Sequence, residues 1–308
     1  MAGFVVPDVL VLAGGGVLGE AWMTGVLGGI EEAAGIDLRR TEAFVGTSAG
    51  AIVAAGLAAG RSPRRPEDIP GLPAGAAAGE GEQGPGAAMR EFARALGAWS
   101  WAATAPAAAA ALAIGAPGGA LVRSAVLARM PAGTRRLDRL RDELERSGVR
   151  FDGRLRVCCV DRRSGRRVIF GAPGAPPASV ADAVVASCAV PGLFAPVTIG
   201  DREYVDGGVW TVTNLDAAPA GRDTQVLCLD TIAGLRTPPR GPMAAVRAAS
   251  RVAVELELQL LRRRGARVTH VAPDGPAAEA IGENLMATEP ATRVLAAGFA
   301  HGRALAAR

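Results

Sequence analysis

Phe44-Val45-Gly46-Thr47-Ser48-Ala49-Gly50, continuing into an alanine-rich run from Ala51, is a short apolar strand passing through a glycine-flanked serine into a helix. A serine on so sharp a strand-to-helix turn needs small neighbours, and its hydroxyl is left prominent. The following helix aims its positive N-terminal end at negative charge developing nearby. Ser48 is therefore the candidate nucleophile, with Gly46, Thr47, Ala49 and Gly50 as its elbow. The competing reading is a Gly/Ser turn that only joins strand to helix. With 41 glycines in 308 residues, a G-x-S-x-G match arises by accident often enough that context must decide.

Upstream, Val9–Ala13 reads as a buried strand and Glu20–Ala34 carries a helical apolar pattern. Between them lies Gly14-Gly15-Gly16-Val17-Leu18-Gly19. Glycines there let backbone N–H groups point at a negatively charged oxygen. One reading is an oxyanion hole built from Gly14, Gly15, Gly16, Val17 and Gly19. Another is the dinucleotide fingerprint through Gly14, Gly16 and Gly19, which would make the protein an NAD(P)-dependent oxidoreductase. That fingerprint wants an acid at the end of the second strand. Asp37 stands at about the right spacing, but Gly35–Arg40 is not strand-like. A plain glycine turn is the third reading.

Downstream, Tyr204-Val205-Asp206-Gly207-Gly208 puts a carboxylate after a short strand, where two glycines let the backbone pass closely. Within reach of Ser48, Asp206 would serve as general base. Alone, it could equally be an Asp-Gly hairpin turn. Ser48, Asp206 and His270 also occur in the order of an α/β-hydrolase triad, which keeps His270 as an alternative partner.

Composition narrows the class. The basic residues are all arginine and are interspersed with acids, the net charge is only +4, and aromatics make up 4%, so no nucleic-acid partner is expected. Cys158, Cys159, Cys188 and Cys228 show no metal spacing. No metal site is read from them, and as buried thiols they suggest a reducing cytoplasm. The N-terminus reads as a first strand, not a leader. Ala95–Val122 contains no charged residue but is interrupted by Pro106 and Pro117. Its first reading is alanine-rich helices packed on the domain. Its second is an interfacial helix dipping Trp99 and Trp101 into lipid head groups, a transient membrane-surface contact.

The remaining organisation is α/β. Residues 61–87 are Pro/Gly-rich and read as a flexible loop, and 88–147 as a helical insertion. Leu155–Val160 and Arg167–Phe170 read as a hairpin, then Val180–Cys188 as helix, with Val197–Ile199, Tyr204–Val205 and Val226–Asp230 as strands. Met243–Arg264 is a long helix, followed by strand Arg267–Val271 and a terminal helix from about Ala291. Such interleaving predicts a three-layer α/β/α sandwich with a largely parallel sheet, with residues 1–308 forming one domain.

The glycine loop at 14–19, G-x-S-x-G at 46–50 and Asp-Gly-Gly at 206–208, in that order, together resemble the patatin-like phospholipase family. Ala186-Ser187-Cys188-Ala189-Val190-Pro191-Gly192-Leu193-Phe194-Ala195-Pro196-Val197 resembles that family's block before the aspartate. The resemblance implies a lipid acyl hydrolase with a Ser48–Asp206 dyad. It also implies a covalent acyl-enzyme, oxyanion donors around Gly15, Gly16 and Val17, and Asp206 activating the second-step water. Substrates would be phospholipids, lysophospholipids or acylglycerols, and the dyad chemistry would need no metal or other cofactor. The family usually carries a basic residue where this chain has Leu18, a departure that favours a neutral ester or a catalytically weak, lipid-binding relative.

Overall fold

The computed structural model describes residues 4–68, 119–235 and 242–307. Residues 69–118 lie outside the described residues, and with them most of the expected 61–87 loop, the first part of the 88–147 segment, Trp99 and Trp101. The described elements run β1 (Val9–Leu12), α1 (Gly16–Ala34), β2 (Ala43–Gly46), α2 (Ala49–Ala58), α3 (Ala120–Arg129), α4 (Asp138–Arg146), β3 (Leu155–Asp161) and β4 (Arg167–Phe170). They continue as α5 (Val180–Ser187), β5 (Val197–Ile199), β6 (Arg202–Asp206), β7 (Gln225–Leu229), α6 (Pro242–Arg263), β8 (Arg267–Val271), α7 (Gly275–Ile281) and α8 (Ala291–Ala306). No helix among the described residues is long and apolar enough to cross a membrane.

The strand order β5-β6-β3-β2-β1-β7-β8, with β4 also on β3, forms one sheet. β3, β2, β1, β7 and β8 are mutually parallel, while β4 and β6 run antiparallel to β3 and β5 antiparallel to β6. Successive side chains alternate between two buried faces, as the period of a strand requires. Leu10, Leu12, Phe44, Leu227 and Leu229 join the core beneath α1, α2 and α5. Val9, Val11, Val45, Val226 and Cys228 pack on the other side against Val254, Leu258 and Leu261 of α6. The result is the three-layer α/β/α architecture.

β3 decides where the site lies. Its first residues pair with β2, ending at Gly46 opposite Val157, and its last pair with β6, ending at Asp206 opposite Cys159. β4 pairs with both Val157 and Cys159 from the other edge. Hence β2 and β6 lie end to end along one edge of β3, running towards each other. Their tips are separated by two residues of β3, roughly 7 Å of strand.

A close helix pair braces the glycine loop. α1 begins at Gly16, four residues before the apolar pattern suggested, because the glycine loop forms its first turn. Gly25 and Gly29 of α1 face Gly298 and Gly302 of α8. A Cβ on Gly29 would stand 2.1 Å from the Phe299 carbonyl oxygen, and one on Gly302 2.1 Å from that of Val26. Only hydrogen atoms fit between these backbones.

Candidate active site

The elbow forms because two backbones leave no room for side chains beside Ser48. A Cβ on Gly46 would approach Ala51 Cα to 2.4 Å, and one on Gly50 would approach the Leu12 carbonyl oxygen to 2.0 Å. Thr47 N–H donates to Leu12 O at 3.1 Å, continuing the β1–β2 ladder one residue past the strand. Ser48 then adopts φ 52° and ψ −120°. A left-handed φ at a residue with a Cβ carries strain on the order of 1–3 kcal/mol, held by the surrounding packing. Ser187, at the end of α5, accepts the Ser48 N–H at 2.9 Å and donates to the Cys158 carbonyl at 2.7 Å. The serine is thereby fixed to the middle of β3.

Asp206 reaches the same place from the other side. It is the last residue of β6 and its N–H donates to Ala189 O at 3.0 Å. Its carboxylate is 6% exposed and accepts the Gly208 N–H at 2.7 Å. Gly207 must be glycine, since a Cβ there would lie 2.1 Å from the Cys158 carbonyl oxygen. The segment Gly207–Val209 is a single 3-10 turn, not the turn of a hairpin. The Ser48 side chain faces the Asp206 carboxyl and the buried Cys188 thiol. Burial pushes the Asp206 carboxyl up from 3.8 to about 7, against the opposing pull of the Gly208 N–H and the Ser48 side chain.

One side chain ties the two halves together. Asn214, itself left-handed at φ 49°, donates from Nδ2 to Thr47 Oγ1 at 3.0 Å and to Gly207 O at 3.2 Å. It clamps the residue before the serine to the residue after the aspartate. Its Oδ1 accepts from Arg167 at 3.1 Å, and Arg167 in turn pairs with Asp216.

The glycine loop closes the third side. A Cβ on Gly14 would be 3.6 Å from Ser48 Cβ, so the loop abuts Ser48 directly. The N–H of Gly14 is taken by Val212 O at 2.8 Å, that of Gly19 by Gly15 O at 2.9 Å, and that of Leu18 by Leu285 O at 3.0 Å. The N–H groups of Gly14 and Gly19 thus already have backbone acceptors, in Val212 and in the first turn of the helix. For Gly15, Gly16 and Val17, no backbone acceptor occurs among the described residues. Gly16 needs its freedom twice, with φ 61° and with Met286 Sδ 2.2 Å from where a Cβ would be. Leu18 points wholly into the core.

Two alternatives from the sequence meet other geometry. Asp37 precedes β2, caps the 3-10 turn Leu38–Arg40 and pairs with Arg39 at 2.8 Å. The position where a nucleotide ribose would need an acid, the end of β2, holds Gly46-Thr47. His270, on β8 opposite Cys228, engages the buried Asp230 at 3.2 Å instead of Asp206. Asp230 is spoken for, accepting the Ile232 and Ala233 N–H groups as well.

The family pattern described as patatin-like phospholipase matches residues 10–70 and 90–219, which include the glycine loop, the serine elbow, Asp206 and Asn214. The chain belongs to the patatin-like phospholipase family. Its architecture is the patatin-like α/β/α fold, and the family's members are lipid acyl hydrolases. No curated protein matches the sequence. Among solved structures it is similar to VipD from Legionella pneumophila, at 18% identity and a TM-score of 0.48 over 99% of this chain and 67% of VipD. A likeness that slight transfers nothing from VipD to this chain.

Within this patatin-like chain, Ser187 and Asn214 are site residues to which sequence reasoning assigns no function. Ser187 lay inside the Ala186–Val197 block, and its polarity amid apolar helix positions was the available signal. Asn214 gave none, being one polar residue in a loop. Phe194 is buried in the main core and bridged to Arg135. The four cysteines are free and buried, and burial holds the Cys158 thiol up at about 12.

Proposed function

We propose that the protein is a serine acyl hydrolase that cleaves lipid carboxylic esters through Ser48 and Asp206. The observation that carries this reading is the meeting of β2 and β6 over Cys158. It sets a strained serine against a carboxyl raised to about 7, beside three amides without backbone acceptors among the described residues.

The chemistry follows from these parts. Ser48 Oγ attacks the ester carbonyl carbon while its proton passes to Asp206. A base whose pKa lies near neutrality is matched to this task, being ionised enough to accept and basic enough to hold the proton. The carbonyl oxygen becomes an oxyanion at the N–H groups of Gly15, Gly16 and Val17, where the α1 N-terminus adds its positive end. Collapse expels the alcohol, which takes the proton from Asp206, and leaves an acyl ester on Ser48. Asp206 then deprotonates water, whose attack releases the carboxylic acid and restores both residues. A leucine where the family usually carries a basic residue offers no charge to a phosphate, and favours neutral acyl esters such as acylglycerols.

Turnover of a short-chain nitrophenyl ester and of a monoacylglycerol tests the assignment. Ser48→Ala and Asp206→Asn should each lower kcat/KM by about a thousandfold or more, as losses of groups acting as one unit do. Either variant retaining a tenth of wild-type turnover would overturn it.

A further inference from the structure

α6 carries a buried acid that the proposed chemistry does not use. Glu257 is 7% exposed and lies among the apolar residues that α6 presents to the sheet, Val254, Leu258 and Leu261. Three donors converge on it. Thr211 Oγ1 donates to Oε1 at 2.6 Å, Thr213 Oγ1 to Oε2 at 2.5 Å, and the Leu215 N–H to Oε2 at 2.9 Å. All three belong to the loop that follows Asp206.

A carboxyl buried beneath a helix needs such partners, since an unpaired one would be costly. Burial pushes its titration upward, with the Asp216 charge adding to the effect, while the two threonines and the Leu215 N–H pull it back. Core packing alone would be served by leucine at this helical position.

The network leads to both reacting groups. Thr211 Oγ1, held by Glu257, accepts the Asn214 N–H at 2.9 Å, and the Thr211 carbonyl accepts Asn214 Nδ2 at 2.6 Å. Asn214 then holds Thr47, next to Ser48, and Gly207, next to Asp206. Asn214 sits at φ 49°, a left-handed conformation that asparagine adopts more readily than most residues with a Cβ and that its flanking contacts constrain here. Thr211, Thr213 and Leu215 supply that constraint, and Glu257 is where they are anchored.

We infer that Glu257 is a positioning residue of the active site, setting the Ser48–Asp206 geometry from α6 through Thr211, Thr213 and Asn214. The inference rests on the acyl-hydrolase reading for its catalytic consequence, but not for its structural one.

Glu257→Leu, Glu257→Gln and Thr213→Val test it, with rates normalised to folded protein. In Glu257→Leu, kcat on the nitrophenyl ester should fall ten- to a hundredfold with KM within threefold. Glu257→Gln retains an acceptor oxygen and should keep kcat within threefold of wild type. Thr213→Val, a milder change in case the leucine variant does not fold, should lower kcat several-fold. Hydrogen exchange supplies an independent readout, with faster exchange at 207–215 and at 46–49 in Glu257→Leu or Thr213→Val. Wild-type kcat in both, or a loss confined to KM, would overturn the inference. So would unchanged exchange at 207–215, whatever the activity. If wild type itself shows no Ser48-dependent turnover, the acyl-hydrolase reading fails, and the exchange data still decide the role of Glu257.

Discussion

At residue scale, Asp206 is a carboxyl withheld from water, and two consequences can be measured. Its ionised form, the one able to accept the Ser48 proton, predominates only above about pH 7. Activity should therefore rise with pH, and kcat/KM at pH 6 should be about tenfold below the alkaline plateau. A flat profile between pH 5 and 8 would contradict a base that titrates near 7. Stability should move the opposite way. The folded protein holds a proton that the unfolded chain releases near 3.8, so this contribution is full below that value and lost as pH rises through about 7. The gap between 3.8 and about 7 corresponds to roughly 4 kcal/mol at most. Asp206→Asn, which can still accept from Gly208, should melt higher than wild type at pH 8, with the difference shrinking towards pH 5.

The same scale explains what was legible. Ser48 and Asp206 announce themselves because their glycine neighbours are local necessities: Gly46, Gly50 and Gly207 each face a backbone atom within 2.4 Å of a would-be Cβ. Ser187, Asn214 and Glu257 have partners 29 to 167 residues away. No local pattern marks such contacts.

At element scale, strand and helix periodicities placed most elements within a residue or two, because alternation and the 3.6 repeat are properties of the segment itself. The pairing of β6 with β3 was not readable, since register between residues 161 and 204 is fixed only once the chain has folded. The short α7 carried too few residues for a pattern, and α1 hid its first turn inside the glycine loop. The α1–α8 contact makes a direct prediction. Gly29→Ala would force helix backbones apart at a Cβ separation of 2.1 Å, and should destabilise by about 1–3 kcal/mol. Denaturant unfolding measures this, and an unchanged midpoint would show that α1 and α8 can part freely. Because α1 begins at the glycine loop, the variant should also lose activity, unlike an alanine at Gly221, which meets nothing within 4 Å.

At the scale of the molecule, the site is a product of topology. β1, β2 and their glycine turns come from the first 50 residues and Asp206 from a strand arriving more than 150 residues later, and β3 brings the two together on one edge. His270 belongs to a separate pair with Asp230 at the far end of the sheet order. His270→Gln should leave kcat within about twofold, because its partner is not in the proposed dyad.

The most direct test is covalent. A fluorophosphonate probe should label the wild-type protein at residue 48, identified by peptide mass. It should fail to label Ser48→Ala, and should label Asp206→Asn at least a hundredfold more slowly. A probe that reacts with Asp206→Asn at the wild-type rate, or that leaves residue 48 unmodified in the wild type, would contradict the account.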